Sequence, residues 1–267
     1  MPSPLIEMPN VRNHLILALA ALAVLAGCTA QSDRLVLWKI VHDRCVANQV
    51  TQKKPDPCTE VSIATGEDRG YVVLKDRKGV SQYLVLPTAL IPGIEDARLQ
   101  SAGATNYFTP AWQAKKLVEE RLGAPLARED VSVAVNSHYG RSQDLLHLHV
   151  DCLRKDVRGT LYKLVPTIGY QWSRLPIPLA GHVFYASRID GKETVAANPF
   201  RRLSEGLNVR PQDMGAWTLV LTGADFPDGK PGFVLLAAKA NPVTGNFASG
   251  EELQDHGCLI RGTSVHQ

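Results

Sequence analysis

The segment His147-Leu148-His149-Val150-Asp151-Cys152 sets two imidazoles and a carboxylate at every second position. Alternate residues of a β-strand share a face. Read as a strand, the stretch turns His147, His149 and Asp151 one way and Leu148, Val150 and Cys152 the other. The apolar side can pack on a core, and the polar side is suited to chemistry. An imidazole with a reference pKa of about 6.5 is largely neutral at pH 7 and nucleophilic. Its attack on an activated phosphorus gives a phosphoramidate and divides one displacement into two. Asn136, Arg141, Ser142 and Gln143 lie just upstream. Amide, hydroxyl and turn N–H groups can hydrogen-bond non-bridging phosphate oxygens as charge redistributes. The Arg141 guanidinium can neutralise phosphate. Three same-face residues of one strand converge poorly on a metal ion. No acidic cluster suited to binding a divalent metal is evident, so neither a metal nor another cofactor is expected.

The elements that must position these groups follow from apolar periodicity and turn residues. Residues 145–153 form the strand, entered by a polar turn over 136–144 and preceded by a short strand, Val131–Val135. Residues 71–76 and 82–86 are β-rich runs around Lys78-Gly79, which predicts a hairpin. Thr109-Pro110 opens a helix that runs to Gly123, with Trp112, Leu117 and Leu122 toward the core. Ser32 or Asp33 caps a helix whose stripe is Leu35, Leu37, Trp38, Ile40 and Val41. Residues 47–69, with Pro55, Pro57 and Gly66, read as loop. Residues 198–206 predict a short helix, residues 216–222 and 232–238 a second hairpin, and residues 166–178 are irregular. Mixed helices and antiparallel strands with short connections give an α+β class.

Spacing adds a resemblance. Asn136 stands seven residues before Gln143, which stands four before His147 and six before His149. On a strand after a Gly/Ser/Gln turn, this resembles the histidine-triad superfamily of nucleotidyl hydrolases and transferases, over about residues 68–155. The resemblance implies an antiparallel sheet with flanking helices, here extended by a C-terminal α/β region. It implies that His149 is the nucleophile, its ring N–H held by the backbone carbonyl of His147. Gln143 would assist catalysis, and Asn136, Arg141, Ser142 and Asp151 would bind substrate. The departure is Asp151, where the superfamily has its third histidine. A second register, Leu145-His147-His149, makes His147 the nucleophile instead. More specific is the combination of YVVLKD, QYLVLPT, WQAK, NSHYGRSQD, HLHVDC, two early cysteines and Gln254-Asp255-His256-x-Cys258. It resembles the bacterial CDP-diacylglycerol pyrophosphatase family, a membrane-bound branch. That similarity implies hydrolysis of CDP-diacylglycerol to CMP and phosphatidic acid through a nucleotidyl-histidine, and related folds suggest a homodimer. Phosphatidate is a phosphate monoester with a second pKa of about 6, so it departs with little acid help. Asp151 in place of a histidine fits such a leaving group. His138 is read as a solvent-exposed turn residue, and His182 and His256 as structural.

Residues 15–26 form an unbroken apolar run of 12, preceded by Arg12 and followed by Gly27-Cys28. A membrane span needs about 20 residues. The shorter run fits a signal peptide over residues 1–27, and its end resembles the lipobox of bacterial lipoproteins, with Cys28 the acylated residue. An uncleaved short anchor is the alternative. Either way residues 28–267, read as one domain, are placed at a bacterial membrane, the inner one by resemblance, with the catalytic part on the periplasmic side. Cys45, Cys58, Cys152 and Cys258 then suggest two disulfides. Of three connectivities, Cys45–Cys58 and Cys152–Cys258 is the expected one. The chain has 267 residues, 45% hydrophobic and 21% charged, with a formal net charge of +3. That balance excludes a disordered chain and a strongly basic nucleic-acid protein. Two other functions stay open: a histidine-triad hydrolase of soluble nucleotides, and a non-catalytic envelope lipoprotein.

Overall fold

The computed structural model describes residues 33–261. The apolar run at 15–26 and Cys28 lie outside these described residues. Nine strands form one sheet: β1 Glu60–Ser62, β2 Tyr71–Lys75, β3 Tyr83–Pro87, β4 Val131–Val135, β5 Leu148–Cys152, β6 Ser173–Arg174, β7 Tyr185–Asp190, β8 Trp217–Asp225 and β9 Pro231–Lys239. Their order is β1-β2-β3-β5-β4-β8-β9-β7-β6, and every neighbouring pair is antiparallel. The fold is α+β, as the sequence predicts. Both hairpins form, as β2–β3 and β8–β9.

One face of the sheet carries the main apolar core. Tyr83 and Val85 of β3, Leu148 and Val150 of β5, and Val133 and Val135 of β4 join Leu219, Leu221 and Leu235 in one core. Helices α3 (Phe108–Gln113), α4 (Lys115–Leu122) and α6 (Pro199–Gly206) cover it, with Phe108, Trp112 and Phe200 fully buried. Fully burying a side chain of this size stabilises by about 1.5–3 kcal/mol. A one-residue slip of β5 would drive His149 and Asp151 into this layer, so the register is strongly specified.

The opposite face carries two separate apolar clusters. Val72, Leu84 and Leu86 pack on Val41, Cys45 and Val46 of the N-terminal helical segment. Ala134, Val220, Val234 and Leu236 pack on Val157, Leu161 and Leu164 of α5 (Lys155–Leu164). Register sets His149 between them, opposite Leu84 on one side and Ala134 on the other. The C-terminal segment crosses this gap. It is fixed by the Leu153–Gln254 bridge, by Asp255 N donating to Cys152 O (2.9 Å), and by the Cys152–Cys258 disulfide. The second disulfide joins Cys45 to Cys58, so both expected pairings form.

Several expectations needed correction. The N-terminal helix does not stop near Val41. It runs through α1 (Val36–Lys39), a π-wound stretch over Ile40–Val46, and α2 (Ala47–Gln52), ending at Lys53 in the left-handed region (φ 57°). The polar residues 47–52 stay helical because this segment is tied to the sheet through Cys45 and Cys58. The supposed loop also holds β1. The strand expected over 145–153 is shorter, since Leu146 N donates to Ile91 O (2.6 Å) rather than to a neighbouring strand. His147 therefore sits at the entrance to β5 instead of within it.

Candidate active site

His147 and His149 lie against each other, ring centroids 4.8 Å apart at 69°. Both are nearly enclosed, at 7% and 5% exposure. His147 Nδ1 is 2.6 Å from the carbonyl oxygen of Leu145. An acceptor there puts the proton on Nδ1 and leaves the Nε2 lone pair free. Burial lowers the His147 pKa, partly offset by that carbonyl and by Glu251. The ring is therefore neutral at pH 7.

The contact expected for His149 is different in the structure. Its Nδ1 faces side chains rather than the carbonyl of His147. Glu251 Oε1 lies at 3.2 Å and Gln82 Nε2 at 3.1 Å. Its Nε2 is buried and has no hydrogen-bond partner among the described residues. Burial, then His147, His256 and Lys78, hold its pKa well below the usual imidazole value. A carboxylate accepts from Nδ1–H and an amide N–H donates to bare Nδ1, so the two neighbours support opposite tautomers. His149 is placed to change tautomer, whereas His147 is locked in one.

Asn136 acts on this pair through Glu251. Its Nδ2 donates to Glu251 Oε2 (2.6 Å), while its Oδ1 accepts from Ser249 Oγ (3.2 Å) and Glu251 N (3.4 Å). The backbone carbonyl of His149 accepts from Gln254 Nε2 (3.0 Å), which also reaches Ser132 O and Oγ. The polar face of β5 is thus closed by residues 249–256.

Asp151 is fully buried. One oxygen accepts from Cys152 N (2.9 Å) and the other lies 2.8 Å from His256 Nδ1. Burial raises its pKa and His256 pulls it back down.

The 141–144 turn serves another purpose. Arg141 is committed to Glu95 through two bonds (2.7 and 2.6 Å) and to Asp144 (3.2 Å). Its charge is already neutralised by carboxylates, which leaves little for phosphate. Gln143 Oε1 accepts from Leu37 N (3.2 Å), and its Nε2 donates to the carbonyl of Ser142, an exposed residue. Arg34 pairs with Asp144 (2.6 Å), and its hydrogen bond draws the Asp144 pKa down. The turn docks the N-terminal helix and sets the entry of β5.

Sequence reasoning missed Gln82, Glu251 and Gln254 as site residues. Gln82 and Gln254 were quoted only as letters of a resemblance, and nothing local to Glu251 marks it. Among the described residues no group of three His, Cys, Asp or Glu side chains is arranged to hold a metal ion.

The CDP-diacylglycerol pyrophosphatase family matches residues 32–262. The chain belongs to that family. A CDP-diacylglycerol pyrophosphatase of Yersinia pestis is 39% identical over 252 residues, covering 93% of this chain and 95% of the relative. As a member of this pyrophosphatase family the protein is a hydrolase, and the match takes in every residue of the site. The likeness to the histidine-triad superfamily stays one of residues and spacing.

Proposed function

We propose that the protein hydrolyses the pyrophosphate bond of CDP-diacylglycerol, releasing CMP and phosphatidic acid through a nucleotidyl intermediate on His147. The substrate follows the name of the Yersinia pestis relative. The observation that carries the mechanism is the 2.6 Å contact from His147 Nδ1 to Leu145 O, which supports the second of the two registers. Nε2 of His147 attacks the cytidine-bearing phosphorus. A P–N bond forms, the P–O bond to phosphatidate breaks, and water then cleaves the P–N bond. His149, with its exchangeable tautomer, passes the proton. Gln82 contacts its Nδ1 directly, and Asn136 holds Glu251 against it.

The apolar run at 15–26 and Cys28 support a reaction at a membrane, where anchoring concentrates enzyme and lipid together. Two disulfides fit the periplasmic side.

The test is incubation with labelled CDP-diacylglycerol in detergent, followed by trapping of acid-labile nucleotidyl-protein. CDP-choline serves as the soluble comparison. His147→Ala is expected to abolish the adduct and slow CMP release on the order of 10⁴-fold or more. An adduct mapped to His149 would restore the first register. Preference for CDP-choline would favour a soluble-nucleotide hydrolase.

A further inference from the structure

Of the three imidazoles gathered here, His256 is the one that reaches solvent, with 38% of its side chain exposed. Its Nδ1 is 2.8 Å from buried Asp151 Oδ2. That leaves Nε2 as the working nitrogen, and it points to Glu251 Oε1 at 3.9 Å. The same oxygen lies 3.2 Å from His149 Nδ1. A cavity of about 670 Å³ opens beside His256, lined by Arg154, Lys155, Asp156, Gln254, Asp255 and Leu259.

The backbone around His256 is held firmly. Val80 N donates to its carbonyl (3.0 Å), and Cys258 is bonded to Cys152 two residues later. The charged groups that face the ring are Asp151 of β5, Glu251 of the 250–253 turn and Lys78 of the β2–β3 turn. Asp255 and the charged residues of the cavity lie around them. The bond to Asp151 raises the His256 pKa against the effect of burial, which favours the doubly protonated ring.

We propose that His256 is a proton shuttle linking buried His149 to solvent through Glu251. This rests on the reaction proposed above. As phosphatidate departs, His149 Nε2–H gives its proton to the leaving oxygen. His256 Nε2 gives a proton to Glu251 Oε1, Glu251 passes it on to His149 Nδ1, and His256 takes one from solvent. When water attacks the nucleotidyl phosphorus, the P–N bond to His147 breaks. The proton of the water enters His149 Nε2, and the same chain runs backwards to solvent. Asp151 is a positioning residue: it fixes the tautomer and charge of His256.

The test is CMP release from CDP-diacylglycerol in detergent by the full oxidised chain, with and without added imidazole. His256→Gln is expected to lower kcat by about 100-fold with KM unchanged. Imidazole should restore the rate, while the unsubstituted protein ignores imidazole. Asp151→Asn is expected to move the alkaline limb of the kcat profile to lower pH, because the charge that holds the proton on His256 is lost. Unchanged kcat in His256→Gln would overturn the shuttle. So would a loss in correctly melting, disulfide-bonded protein that imidazole cannot restore. If His256→Gln does not fold, an alkaline limb that stays put in Asp151→Asn overturns it equally. No CMP release by the unsubstituted protein would remove the reaction itself, and the shuttle with it.

Discussion

The two histidines differ by what touches Nδ1. A backbone carbonyl cannot titrate or turn away, so Leu145 gives His147 one permanent tautomer. Glu251 and Gln82 give His149 a choice. Glu251 also raises the His147 pKa from a distance, against the larger effect of burial. Both pKa values are lowered from the usual imidazole value of about 6.5, so the neutral forms predominate at that pH. The acid limb of kcat/KM therefore falls below 6.5. Glu251→Gln is expected to push the limb lower still and to cost roughly 100-fold in kcat. A pH–rate series on the variant checks both. The same rings make acid unfavourable for folding. Unfolded imidazoles protonate as pH falls through 6.5 while the buried ones do not, so their contribution to stability is kept above that pH and lost below it.

At the level of elements, the short turn Gly250–Leu253 decides where Glu251 stands. A Cβ on Gly250 would meet Thr218 Oγ1 at 2.8 Å, Val220 Cγ2 at 2.9 Å and Ala134 Cβ at 3.1 Å. Thr218 Oγ1 is tied to Val135 O (2.6 Å), so it does not swing aside. Gly250→Ala is expected to cost about 1–3 kcal/mol by overpacking. It should reduce activity further than that loss explains, since Glu251 is carried away from His149. Denaturant melts alongside CMP release measure the two effects. Elements governed by local patterning were legible: the β-rich runs at 71–75 and 83–87 around Lys78-Gly79 name a hairpin, and Asn198-Pro199 opens α6 with a side-chain cap on Phe200 N and Arg201 N. Helix α5 has apolar residues at 157, 161 and 164, a helical spacing, but Gly159 interrupts the run and hides it. The extent of the N-terminal helix was not legible, because its far end is fixed by a disulfide and its docking by Arg34–Asp144. The site was half legible. The imidazoles announce themselves by alternation on one strand. Glu251 meets Asn136 across a separation of 115 residues, which no local pattern encodes.

On the scale of the whole molecule, the sheet is a scaffold whose polar strip is completed only by the last described residues. The Cys152–Cys258 bond spans 106 residues and the Cys45–Cys58 bond 13. Loop-closure entropy alone gives about 4.7 kcal/mol for a 100-residue loop and about 3 for a 15-residue one. Cys258→Ser is expected to lose up to about 4 kcal/mol in denaturant titration and to lose most of the activity. Cys45→Ser should lose less of both. Placing Glu251, Gln254 and His256 so late has a consequence for biogenesis. On the proposed mechanism, a chain that displays both strand histidines stays idle until residues 249–258 have folded back over them and the Cys152–Cys258 bond, between positions 106 apart, has closed.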